Sequence, residues 1–114
     1  GVFSHETALA LYDLSDVLPA KVHMTMPWNW RERRLRVPRG LVLHYDDLAD
    51  REWGWLEAVP ITSPRRTLLD CIEAHLAPDL LRQALKQARA RGLVSRPEGV
   101  RLDKRLAASL EGVD

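Results

Sequence analysis

The dipeptide Ser63-Pro64 divides this chain into two hydrophobic rhythms, and that division constrains the fold more than any other feature. A hydroxyl followed by proline starts a helix well: the side chain accepts from the free amides of the first turn, and proline lacks an N–H that would go unused there. After it, Leu68, Cys71, Ile72 and His75 fall on one helical face. Ala77-Pro78-Asp79 opens a second helix, with Leu81, Ala84, Leu85 and Ala88 along one side, Arg82, Lys86 and Arg89 along another, and Gly92 as its left-handed cap. Beyond Pro97, Leu102, Leu106 and Leu110 predict a last amphipathic turn or two.

Before Ser63 the period is mostly two. Val22, Met24 and Met26 alternate with Lys21, His23 and Thr25, which predicts a strand with its apolar side buried. Leu35 and Val37 alternate with arginines and predict a second strand over Arg33 to Val37. Pro38-Arg39-Gly40 is a turn, and Leu41, Leu43 and Tyr45 a third strand, so these pieces read as an antiparallel meander. Trp53 and Trp55 pair with Val59 to Thr62. Near the start, Ser4 caps a short helix to about Leu14, with Ala8, Leu11 and Tyr12 as its buried stripe. The expected fold is therefore α+β, a mainly antiparallel sheet of about four strands packed with three or four helices. At 114 residues it fits one domain.

Residue content narrows the function. One cysteine, Cys71, excludes a disulfide framework, and with no apolar leader it sets the expectation of a cytoplasmic protein. No apolar run approaches the ~20 residues of a spanning helix. The scattered glycines provide no phosphate-binding loop, so no nucleotide cofactor is expected. His5-Glu6 lacks the second histidine of a zinc protease, since Leu9 occupies its place. Pro78-Asp79 resembles half of a restriction-nuclease metal site, but Lys21, Lys86 and Lys104 are preceded two residues earlier by Pro19, Ala84 and Leu102, so the acidic half is missing. His44, Asp46 and Asp47 lie close enough to suggest metal ligands but have no third partner in sequence. No metal site and no catalytic residue is expected.

Charge, by contrast, is segregated. The whole chain carries 17 basic against 16 acidic residues, yet Arg31, Arg33, Arg34, Arg36 and Arg39 face only Glu32 within nine residues. Trp28 and Trp30 stand just ahead of them. Tryptophan and arginine are the usual anchors of protein interfaces. The expected partner surface is Trp28, Trp30, Arg31, Arg34, Arg36 and Arg39. The alternative is a nucleic-acid surface that also draws on Arg33, Arg82, Lys86 and Arg89.

Three stretches carry a family resemblance: SHETALALYDLSDVLPAKVHMTMP, VPRGLVLHYDDL and VPITSPRRTLLDCIEAH. Together they resemble the C-terminal domain of the AbiEi antitoxins of bacterial type IV toxin-antitoxin systems, over about Phe3 to Val94. The most specific part is Val59 to Asp70, with Pro60, Thr62, Pro64, Arg66, Thr67, Leu68, Leu69 and Asp70 standing as in the family pattern. The resemblance implies a domain that neutralises a nucleotidyltransferase-like toxin, behind an N-terminal winged helix-turn-helix that binds promoter DNA. This chain has no room for that second domain, and its start at Gly1 without methionine sets the expectation of a cloned or proteolysed fragment. A degenerate restriction-endonuclease-like domain is the remaining alternative. Arg66 and Asp70, four apart, are expected to form a local ion pair that fixes the turn into the helix.

Overall fold

The computed structural model describes residues 1–111 of the chain. The α+β class is as expected, but the sheet is mixed and has five strands in the order β3-β2-β1-β5-β4. They are β1 (Val2–Phe3), β2 (Val22–Met26), β3 (Leu41–Tyr45), β4 (Trp53–Leu56) and β5 (Val59–Thr62). The helices are α1 (His5–Leu11), α2 (Pro64–Glu73), α3 (Pro78–Ala90) and α4 (Arg96–Glu111), with short 3-10 turns at Trp28–Glu32 and Asp50–Glu52.

The antiparallel meander does not form. β2 pairs with β3 in parallel, from Val22 opposite Leu41 to Met26 opposite Tyr45. The expected strand at Arg33 to Val37 is instead an extended connection with no ladder partner, because it must carry the chain back along the length of β3. Parallel neighbours need such a crossover, usually a helix, whereas antiparallel ones need only a tight turn. The unexpected strand is β1, too short to show a period, which runs antiparallel to β2 and parallel to β5 and so joins the two halves of the sheet. β4 and β5 form the expected hairpin, with Trp53 opposite Thr62.

The apolar core lies among the helices. Leu9, Leu14, Val17, Leu68, Cys71, Ile72, Leu81, Leu85, Leu102 and Leu106 are buried in one cluster. Burial of each leucine stabilises the fold by about 1.5 to 3 kcal/mol. In α2, Ser63 Oγ accepts from the Arg66 amide, as the Ser-Pro start requires. In α3 the expected stripe Leu81, Ala84, Leu85 and Ala88 is buried, and Gly92 takes φ +69°. α4 runs for 16 residues, well beyond a turn or two, with Leu102 and Leu106 buried against the other helices.

Two face assignments are corrected. α1 stops at Leu11, and Leu11 is exposed while Ala8 and Leu9 are buried. Ser4 holds the N-cap position of α1 as expected, but its side chain makes no capping bond; it is buried and its Oγ accepts from Thr25 Oγ1 at 2.8 Å. In β2 the side that meets the helices is the polar one: Thr25 is buried, whereas Val22 is 43% exposed. The contact between α1 and the sheet runs through β2 and is made of hydrogen-bonding groups. Ser4 donates its amide to His23 O at 3.1 Å, and His23 donates its own amide to Thr7 Oγ1 at 2.7 Å. A helical core thus joins its sheet across a polar seam. No described helix is long and apolar enough to cross a membrane.

Candidate binding surface and the polar seam

The connection from β2 to β3 is the most exposed part of the molecule. Pro27 ends β2, a 3-10 turn follows, and every residue from Arg31 to Gly40 is exposed. The turn is tied down at one point, where the Trp28 amide donates to Asp47 Oδ1 at 3.1 Å. The Arg31 guanidinium lies over the Trp28 ring at 4.2 Å and that of Arg33 over the Trp30 ring at 3.9 Å. Such stacking holds each planar cation against a ring face while its N–H donors stay free at the edge. Arg31 also donates to the Trp28 carbonyl at 2.9 Å. Among the described residues, Arg33, Arg34, Arg36 and Arg39 make no ion pair, and Arg31 has only Glu32 at 3.9 Å. The structure therefore brings Trp28, Trp30, Arg31, Arg34, Arg36 and Arg39 together on one arm, but as a turn and an extended segment. Arg34 and Arg36 do not share the face of a strand.

The residues of the nucleic-acid alternative divide between layers. Arg33 belongs to the arm. Arg82, Lys86 and Arg89 lie on α3, which packs on α2 and α4. Two of these are already matched by acids: Arg82 donates to Asp79 at 3.3 Å, and Arg89 pairs with Asp103. The positive face of α3 is thus partly neutralised from within the domain.

Beyond the Arg66–Asp70 pair, sequence spacing gave no sign of the second constellation, which is centred on Arg66 and lies beside the polar seam. Arg66 is nearly buried and donates through all three nitrogens: Nε to Asp70 Oδ1 at 2.8 Å, Nη1 to Glu52 Oε2 at 2.9 Å and Nη2 to Asp46 Oδ2 at 2.5 Å. The expected local pair with Asp70 is present, and it is one arm of a hub binding α2 to the turn before β4 and to the end of β3. Burial works against the Arg66 charge, but the carboxylates outweigh it and hold its pKa above the ordinary value. Glu52 is held below the usual carboxylate range, first by the Ala49 amide and then by Arg66. Asp70, 6% exposed, is pushed up to about 6 because burial exceeds the help of Arg66. Its Oδ2 has no hydrogen-bond partner among the described residues.

Beside this hub stand three imidazoles. His5 stacks on His44 with centroids 3.6 Å apart, and His23 meets His44 through a ring-nitrogen contact of 2.9 Å. His5 Nδ1 lies 2.8 Å from Ser4 Oγ and 4.0 Å from Asp70 Oδ2. Burial drives the His5 pKa down to about 3, assisted by His44, His23 and Arg66. His44 is lowered by burial and then by His23. His5 also has φ +55°, a left-handed conformation that a side chain with a Cβ adopts at a cost. The groups weighed in sequence as metal ligands separate here: His44 joins the imidazoles, Asp46 goes to Arg66 and Asp47 to the Trp28 amide. Among the described residues, no three His, Cys, Asp or Glu side chains converge in a metal-holding arrangement. The buried thiol of Cys71 is pushed well up by desolvation, which disfavours the thiolate.

Compared with known proteins, the chain matches no family model and no curated protein.

Proposed function

We propose that this domain is a partner-binding module, the toxin-binding C-terminal domain of an AbiEi-type antitoxin, and that it performs no bond-making of its own. The observation that carries this reading is the Trp28–Gly40 arm, with two guanidiniums pre-stacked on indoles and three more without an acidic partner among the described residues. Groups ordered before encounter lose less freedom on binding, and interfacial arginine with tryptophan contributes most where a partner desolvates it. The partner's matching surface is acidic, on a nucleotidyltransferase-like toxin. Promoter binding belongs to a winged helix-turn-helix outside this chain, and the complex acts in the cytoplasm.

The test is co-expression with a nucleotidyltransferase-like toxin encoded in the same operon, read as growth rescue and co-purification. The wild-type domain is expected to rescue growth, and the variant carrying R31A, R34A, R36A and R39A to bind at least about tenfold more weakly, as removal of several steering and anchoring charges requires. Unchanged binding by that variant would remove the arm from the interface. A DNA affinity of the isolated domain that falls steeply with salt would instead support the nucleic-acid alternative.

A further inference from the structure

We propose that the uncovered end of the sheet binds an arginine side chain of a partner polypeptide. The face that meets α1 is covered only in part: Thr25, bonded to Ser4 on one side, lines an open trough of about 410 Å³ on the other. The floor of the trough is a single row of side chains. Val2 lies opposite Thr25, Trp55 opposite Pro60, and the pairing of Phe3 with Ile61 sets Val2 beside Pro60. Paired residues project from the same face, so the row crosses β2, β1, β5 and β4, a span of roughly 14 Å at the usual strand spacing. Trp53 and Trp55, two apart on β4, meet edge to face with centroids 5.9 Å apart and wall that end. Trp55 is 66% exposed, more than any other tryptophan of the chain. Toward β3 the wall is Asp46 and Asp47.

Charge complementarity selects the occupant. Asp46 and Asp47 line the trough, and no described lysine or arginine does. Each keeps one carboxylate oxygen without a partner among the described residues: Asp46 uses Oδ2 toward Arg66, and Asp47 uses Oδ1 toward the Trp28 amide. Gly1 also lines the trough, so its α-amino group is a competing cation at the margin. Indole faces attract cations, and a planar guanidinium can lie flat on a ring while its edge donors reach carboxylates. A compact ammonium cannot present both a stacking face and a donor fork. The chain displays this stacking elsewhere, with Arg31 on Trp28 and Arg33 on Trp30. Among the described residues, no guanidinium lies over Trp53 or Trp55. An aromatic corner and two carboxylates thus face a space that none of the chain's described arginines enters.

This site is separate from the basic arm, does not depend on toxin binding and is tested on the protein alone. The probe is N-acetyl-arginine amide, with N-acetyl-citrulline amide as its uncharged counterpart of like shape. Acetylation of the protein's N-terminus removes the competing ammonium. In NMR titrations the indole N–H signals of Trp53 and Trp55 are expected to shift saturably, with a Kd of about 1 mM or above for so small a contact, while those of Trp28 and Trp30 stay in place. Citrulline is expected to bind at least about tenfold more weakly, lacking the charge that both ring and carboxylate recognise. Trp55→Ala and Asp47→Asn should each weaken arginine binding about three- to tenfold. Both residues are exposed, and asparagine keeps an oxygen that can accept from the Trp28 amide, so unchanged circular dichroism serves as the folding control. Equal shifts from the two probes, or variants that bind like the wild type, would overturn the proposal. So would tighter binding of tetramethylammonium than of the arginine probe, or no saturable shift at all.

Discussion

Replacing Arg66 with alanine is expected to cost about 3 to 5 kcal/mol of folding stability, the loss found when one partner of a buried charge cluster is removed and the others stay. Asp70 is 6% exposed, so its carboxylate cannot turn to water for compensation. Against a total stability of roughly 5 to 15 kcal/mol, this brings the domain close to its unfolding threshold. Urea denaturation at neutral pH measures it through the midpoint. Arg66→Lys should recover little, because one ammonium cannot reproduce the fork that reaches Asp70, Glu52 and Asp46 from three nitrogens. A cost under about 1 kcal/mol would mean that the hub behaves as a surface ion pair, and the seam would need another source of cohesion.

The second large effect concerns acid. The His5 pKa is about 3 in the folded protein against an ordinary 6.5, so the stability tied to its neutral form is complete above 6.5 and drains away as pH falls toward 3. Asp70 runs the other way: with a folded pKa of about 6 against 3.8, its contribution is complete below 3.8 and is lost as pH rises through 6. Between about 6 and 4 the two offset, and His44, shifted in the same direction as His5, leaves a net loss on acidification. His5→Asn removes the largest of these titrations and tolerates the left-handed backbone at this position. Relative to the wild type, the variant should gain about 3 kcal/mol between pH 7 and pH 4, at about 1.4 kcal/mol per pH unit below 6.5. Unfolding free energies at pH 7, 5.5 and 4 decide the matter; parallel curves for the two proteins would refute the assignment to His5.

What the sequence disclosed depended on how local the cause was. Ser63-Pro64, the Leu81 to Ala88 stripe and Gly92 act within a turn or two of chain, and each was legible. The parallel pairing of β2 with β3 was not, because alternation records which side of a strand is apolar and says nothing of its neighbour or direction. Alternation also misled about β2, where the polar side turned inward once Ser4, Thr7 and His5 were there to meet it. The arm was legible as a concentration of charge, though its backbone was read as a strand. Arg66 was visible with Asp70, one helical turn away, but not with Glu52 and Asp46, which lie 14 and 20 residues distant. His5, His23 and His44 show no spacing that a single element could have imposed.

The crossover arm has a consequence for how the chain would be cut. Its five arginines stand in an exposed stretch with little secondary structure, where proteases prefer to act, and none of the five precedes a proline. Trypsin admitted there would sever the polypeptide between β2 and β3, yet the ladder joining those strands would keep the pieces together. The domain would persist as a nicked, two-fragment protein, its fold independent of the continuity of the segment that carries its charge.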